Sequence, residues 1–259
     1  MVSDEWTERA RSFGRVAGRY DRVRPGYPGP LYDEVLALTP GRRVLDVGAG
    51  TGRATLELAR RGATVVAVEP DPEMAAVLRE RAEGLPVEVA GHRFEEHDGD
   101  GVDLVVAGQA WHWVDPEVGP AVAARLLRPG GALAVWWNRS GPLTGPAWDA
   151  LDAVYARHAP DLSRHRPAHT HAHVPEAGES VDPAPGFTPW TTSVHAWTAR
   201  YDADGYVALL GTFSDHLRLP DAARERLLAA VHDAVAGSPG GRLEHPYRTL
   251  LLHARPVGS

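Results

Sequence analysis

The stretch VLDVGAGTGRATLELARRGATVVAVEPDP, residues 44–72, decides the reading of the chain. A short apolar run (RVLDV, 43–47) leads into three glycines, then an amphipathic segment (ATLELARR, 54–61), then a second apolar run (TVVAV, 64–68) ending on Glu69. Apolar runs of this length suit parallel strands buried on both faces. A glycine loop between strand and helix lets the backbone approach a ligand closely. The spacing excludes two common ligand loops. A dinucleotide fingerprint, G-x-G-x-x-G, counted from Gly48 needs glycine where Arg53 stands. A P-loop needs Gly-Lys-Ser/Thr, and the chain contains no lysine. What remains is glycine at alternate positions 48, 50 and 52, preceded by Asp46, with a carboxylate closing the next strand.

The alternation continues on both sides. Helical patterns fall at 7–22, 31–38, 72–82 and 117–127, with apolar runs at 87–90, 102–108 and 132–138. Strands alternating with helices at this spacing predict an α/β fold with a doubly wound sheet. Beyond Asn138 the rhythm changes. Helices are expected at 147–158, 202–213 and 221–235, and strands at 191–201 and 245–256. Residues 159–189 are rich in Pro, His, Gly and acids and read as a long loop or mobile lid.

The 259 residues suffice for one substantial core with a helical cap. All 27 basic residues are arginine, Ile is absent and Asn138 is the single asparagine, a usage that points to a GC-rich genome. The net charge is −7 and the arginines are scattered among acids, so no basic stripe is available for nucleic acid. No apolar run is long enough for a membrane span, and the polar start does not read as a signal peptide. The chain has no cysteine, which excludes disulfides and thiolate metal sites and fits the cytoplasm.

Five segments in order resemble the class I S-adenosylmethionine (SAM)-dependent methyltransferases. They are the Asp46-x-Gly48-x-Gly50-x-Gly52 loop, Glu69 at the end of the second strand, Gly91-His92-Arg93-Phe94-Glu95, Gly108-Gln109-Ala110-Trp111-His112-Trp113, and Leu127-Arg128-Pro129-Gly130-Gly131. The opening Tyr20-Asp21 with Arg24-Pro25-Gly26-Tyr27-Pro28 is similar to that of a small-molecule branch grouped with trans-aconitate-type (methyltransferase type 11-like) enzymes. The resemblance implies a Rossmann-like seven-stranded sheet in one domain. Residues 1–33 would form an N-terminal cap and 34–139 the SAM-binding core, with an insertion or lid over 140–190. Residues 191–259 would complete the sheet and cap.

It also implies the site. Asp46, Gly48, Ala49, Gly50 and Gly52 would cradle the methionine half of SAM. Glu69, followed by Pro70, would hold the ribose hydroxyls with two carboxylate oxygens. Met74, Arg93, Phe94 and Gln109 would border the cofactor, with Tyr20 closing from the N-terminal side. Arg93 and Phe94 depart from the small or acidic pair usual near adenine. His112 would lie by the reacting methyl, as a general base or as a residue that shapes the acceptor pocket. One of Trp136 and Trp137 is expected to pack and the other to line the pocket. Arg24 could bind an acceptor carboxylate or cap a turn.

The implied reaction is methyl transfer to a small molecule. Another SAM-dependent reaction, a silent SAM-binding scaffold and an NAD enzyme are the competing readings, the last weakened by Arg53. The cluster His165, His169, His171 and His173 lacks interleaved acids and reads as solvated loop, so no metal is expected.

Overall fold

The computed structural model describes residues 24–162 and 182–258. The expected helix at 7–22, Tyr20, His165, His169, His171, His173 and most of the expected lid lie outside the described residues. Within them the chain runs α1 (Gly29–Ala37), β1 (Arg43–Val47), α2 (Arg53–Arg60), β2 (Thr64–Val68), α3 (Pro72–Arg81) and β3 (Val87–Ala90). It continues through β4 (Val102–Gly108), α4 (Gly119–Leu126), β5 (Leu127–Ser140), α5 (Pro146–His158) and β6 (Thr191–Asp202). Helices α6 (Ala203–Leu210), α7 (Ser214–Leu217) and α8 (Asp221–Ala236) follow, and β7 (Arg242–Ala254) ends the fold.

The strands form one seven-stranded sheet in the order β3-β2-β1-β4-β5-β7-β6. Strands β1 to β5 pair in parallel, and β7 inserts antiparallel between β5 and β6. Order reverses between β1 and β4, so the crevice at their C-terminal ends is where a ligand belongs in an open α/β sheet. Alternation along β5 feeds two cores. Leu133, Val135 and Trp137 pack with Phe94, Val122 and Leu126 on one face, while Ala132, Ala134 and Trp136 pack with α1 and α2 on the other. A third core joins α5, α6 and α8 into a cap.

Three elements depart most from the sequence expectation. Strand β7, expected at 245–256, runs from Arg242 to Ala254. Strand β5 begins at Leu127 rather than at 132, because Leu127 pairs with Val102 before the register shifts to Leu104 with Ala132. The Arg128–Gly131 turn is therefore a bulge within the strand, and Gly130 supplies its left-handed residue at φ +78°. The helix expected over 202–213 stops at Leu210, where Gly211 caps it, and the short α7 follows. At the far end of the expected lid, Phe187 is buried in the sheet core and bridges to Pro256.

Candidate active site

The glycine loop leaves β1 and enters α2 through three left-handed glycines, Gly48 (φ +63°), Gly50 (φ +58°) and Gly52 (φ +93°). They lack a side chain for two different reasons. A Cβ on Gly48 would stand 2.6 Å from Ala110 Cβ, and one on Gly52 would stand 2.4 Å from Leu78 Cδ1. At Gly50 the nearest atom to such a Cβ is Met74 Sδ, 4.0 Å away. Gly48 and Gly52 are glycine for packing, whereas a Cβ at Gly50 would have the Met74 thioether as its only non-adjacent neighbour within 4 Å among the described residues. That stretch of loop is the cradle. The amides of Gly48 and Ala49 bond back to the Val68 carbonyl, tying the loop to the end of β2.

Two carboxyls line the cradle. Asp46 is buried under the loop and accepts a 2.6 Å hydrogen bond from Thr55 Oγ1. Burial pushes its acid up to about 7, the Thr55 bond opposes this, and nearby Glu69 raises it further. Glu69 is 6% exposed and bonded on both oxygens. Its Oε2 accepts from the Gly50 amide at 2.7 Å and its Oε1 from the Asp71 amide at 2.8 Å. Burial raises its acid as well, with those two amide bonds opposing. Each oxygen keeps a second lone pair, so the carboxylate can still accept two hydroxyl protons. Asp71 then caps α3 by accepting from the Glu73 and Met74 amides, which fixes where Met74 stands.

The donor set fits SAM better than a dinucleotide. A buried acid beneath the loop would face the pyrophosphate of NAD across a repulsive gap. It instead favours the ammonium and sulfonium of SAM, and Glu69 offers the acceptors that a ribose diol needs.

The other expected residues are placed less uniformly. Ala49 is buried and Pro70 is exposed at the rim. The Arg93 guanidinium turns to Glu95 at 3.2 Å, while Phe94 is buried with its ring 5.9 Å from that of Trp111. Gln109, just past β4, holds φ +60°, an uncommon backbone for a residue with a side chain, and its amide donates to the Trp136 carbonyl at 2.8 Å. His112 follows in the short turn Trp111–Trp113, where its Nδ1 accepts from Trp137 Nε1 at 3.2 Å. Trp136 and Trp137 are both buried, on opposite faces of β5, so neither simply lines an open pocket.

The sequence reading missed what closes the site from the β7 side. Asn138 Nδ2 donates to the Gly26 carbonyl at 2.8 Å, its Oδ1 accepts from Thr249 Oγ1 at 2.6 Å, and Trp197 Nε1 donates to Thr249 Oγ1 at 2.9 Å. This relay pins residues 24–28 over the strand ends. Arg24 then donates to the Thr212 carbonyl and lies over the Phe213 ring, joining the segment to the cap. Tyr27 Oη stands 3.0 Å from where a Gly108 Cβ would be, and the fields of Arg53 and Arg24 both reach Tyr201. The one signal available was the lone Asn138 beside two tryptophans, whose partners depend on the antiparallel insertion of β7.

Comparison with known proteins places this geometry. Residues 45–135 match the family described as "Methyltransferase domain". An uncharacterized methyltransferase of Mycobacterium tuberculosis (strain H37Rv) is 36% identical over 252 residues, which are 94% of this chain and 95% of its own length. A trans-aconitate 2-methyltransferase of Mycobacterium tuberculosis (strain H37Ra) is 30% identical over 247 residues, 89% of this chain and 92% of its own. Among solved structures, a protein of Anaeromyxobacter dehalogenans described as a candidate type II methyltransferase superposes with a TM-score of 0.64 at 26% identity, over 90% of this chain and 97% of that one. A Haemonchus contortus phosphoethanolamine N-methyltransferase, solved with phosphomonomethylethanolamine and S-adenosylhomocysteine, shares the fold at a TM-score of 0.53 and 15% identity, over 99% of this chain and 61% of that one.

Proposed function

The chain belongs to the class I S-adenosylmethionine-dependent methyltransferases, its cofactor is SAM, and on that premise we propose that its methyl acceptor is a small molecule. The observation that carries this reading is the roof over the strand ends. Residues 24–28 are tied to the sheet through Asn138 and to the cap through Arg24 and Thr212, so this stretch of chain is fixed between the sheet and the cap. A segment held over the strand ends narrows the approach to them and suits a small acceptor, and the scattered arginines of a chain with net charge −7 disfavour a nucleic-acid partner. Among the described residues no helix is long and apolar enough to cross a membrane, and cytoplasmic chemistry fits the absence of cysteine. Localisation and the four-part division of the chain are part of the same proposal.

Bound SAM supplies a methyl group already activated on a sulfonium. The protein's share is positioning. Gly50 leaves room for the methionine half, Asp46 balances its positive charge, and Glu69 fixes the ribose. Ala49, Pro70, Met74, Phe94 and Gln109 border the cofactor, while the outward turn of Arg93 leaves it at most a backbone contact. Orientation in line can supply much of the rate in such a transfer.

The test is a size-fractionated cell extract incubated with methyl-labelled SAM and the purified protein. Label in the small-molecule filtrate supports the reading. Label confined to retained protein or nucleic acid overturns it.

A further inference from the structure

We propose that the Asp46 and Glu69 carboxyls share one proton before the cofactor binds, that SAM expels it, and that this exchange sets how strongly the site prefers SAM to S-adenosylhomocysteine. This rests on the methyltransferase reading and deepens it. Both carboxyls are nearly buried, at 1% and 6% exposed, and both are fixed at the glycine loop. No arginine among the described residues acts on either one. Asp46 feels Thr55 of α2 and the Glu69 charge, and its own charge acts on Tyr32 of α1. Strand β4 offers only Val106 opposite it. Glu69 feels the Gly50 and Asp71 amides and the Asp71 carboxyl, which adds negative charge. Arg53 of α2 and Glu57 act on Tyr32, and Arg81 of α3 donates to the Thr51 carbonyl at 3.0 Å. Two buried negative charges with no countercharge are costly, and a proton removes one of them.

Hydrogen bonding decides which carboxyl holds that proton. Each Glu69 oxygen accepts from a backbone amide, at 2.7 and 2.8 Å, and amide donors favour the charged form. Asp46 instead meets the Thr55 hydroxyl at 2.6 Å. A hydroxyl donates to a carboxylate or accepts from a carboxylic acid, so this contact survives in either state. The Thr55 amide also favours charge on Asp46, as its weakest influence. Burial pushes the Asp46 acid up to about 7, with the Glu69 charge adding to it. Glu69 ionises first, and Asp46, still neutral, returns no charge to it.

The chemical consequence concerns cofactor exchange. SAM carries an ammonium, a sulfonium and a carboxylate, one net positive charge. S-adenosylhomocysteine has a neutral thioether and no net charge. A cation at the loop stabilises the second negative charge, and the Asp46 proton leaves to solvent. On methyl transfer the carbon–sulfur bond breaks, sulfur keeps its electrons, and that positive charge is gone. The pair then regains a proton from solvent as S-adenosylhomocysteine departs, so this proton cycles with no net loss. The acid of the free protein lies above that of the SAM complex, so SAM affinity rises with pH through the free value. Between pH 5.5 and 7 the Kd for SAM is expected to fall about 10-fold, and that for S-adenosylhomocysteine by no more than about 3-fold. Both ligands keep their ammonium throughout, because an α-amino group titrates at about 7.7–8.0.

The experiment is calorimetric titration of the full chain with SAM and with S-adenosylhomocysteine at pH 6.5, in two buffers of different ionisation enthalpy, which counts protons. About 0.5 to 1 proton is expected to leave per SAM bound, and fewer per S-adenosylhomocysteine. SAM binding with no proton released, or equal release with both ligands, overturns the proposal and leaves the cofactor assignment standing. Binding of neither ligand overturns both. Asp46→Asn places a neutral group that still accepts from Thr55. Its Kd for SAM is expected to match the wild type at pH 5.5 and to stay at that value up to pH 7. A variant that keeps the wild-type pH dependence would place the proton elsewhere and overturn the proposal. If Asp46→Asn does not fold, Thr55→Val gives the answer. It removes the hydroxyl that favours a charged Asp46, so proton release is expected to move to higher pH; a release profile identical to the wild type overturns the role of Asp46.

Discussion

Replacing Glu69 with Gln separates two jobs that one carboxylate performs. In the folded chain Glu69 accepts from the Gly50 and Asp71 amides at 2.7 and 2.8 Å while nearly buried. Gln keeps one acceptor oxygen and turns an amide NH₂ toward the other backbone N–H. One bond to a charged group is lost and one donor faces another, at a cost of about 1–3 kcal/mol. Removing a charge that burial disfavours offsets part of this, so the melting temperature is expected to fall by only a few degrees. The ligand-side loss is separate. A carboxylate can take both ribose hydroxyls, but Gln can take one, so SAM is expected to bind more weakly by about 1.5–3 kcal/mol, roughly 10- to 100-fold in Kd. The assay is calorimetric titration with SAM and with S-adenosylhomocysteine, well below the variant's melting temperature, beside a thermal melt without ligand. A variant that melts earlier but binds both ligands with wild-type affinity would refute the ribose assignment and leave Glu69 as a brace for the loop.

Other outcomes follow from the same geometry. Gly50→Ala forces a left-handed alanine at a cost of about 1–2 kcal/mol and fills the cradle, so SAM binding is expected to fail in a protein that still folds. Gly52→Ala adds a clash at 2.4 Å with Leu78 Cδ1, so its defect is expected mainly in the thermal melt; equal melts for the two would contradict this division. Burial holds the His216 and His245 imidazoles down at about 4, below the unfolded value of 6.5. The unfolded chain therefore binds more protons, and these two groups withdraw about 3 kcal/mol each as pH falls from 6.5 to 4. Asp46, raised to about 7, works in the opposite sense, because the folded chain without ligand then holds the extra proton. Chemical denaturation across this window is expected to show a net loss toward acid, with His216→Gln flattening the slope by about one proton; a stability that rises toward acid would contradict the balance. Asn138→Leu removes the acceptor for Thr249 and the donor to Gly26, and is expected to speed amide exchange in residues 24–28 while leaving β1 and β2 protected.

The sequence revealed most where the chemistry is local. Strands β1 and β2 are continuous apolar runs because parallel central strands are buried on both sides, and their ends mark the ligand edge. Alternating glycines are legible because three left-handed residues in five admit little else. Contacts between distant segments were not legible. The bond from Trp137 to His112 spans 25 residues and that from Asn138 to Gly26 spans 112. Nothing in a local pattern reveals that β7 enters antiparallel beside β5 and thereby brings Thr249 to Asn138. The opposite burial of Trp136 and Trp137 follows from strand alternation, yet both faces being closed depends on α1 and α2 on one side and on Phe94 and α4 on the other. Arg93 shows a further limit. Its place in a cofactor motif was readable, but its turn toward Glu95 is settled by a neighbour two positions away.

The central claim, that this cradle binds SAM and delivers its methyl group to a small acceptor, is tested most directly by mass spectrometry after incubation with trideuteromethyl-SAM and a panel of carboxylic acids, phenols and amines. The account predicts S-adenosylhomocysteine and a panel member carrying an intact trideuteromethyl group, in equal amounts. Methylthioadenosine in place of S-adenosylhomocysteine, or tight SAM binding with no product from any panel member or from the small-molecule filtrate, would contradict it.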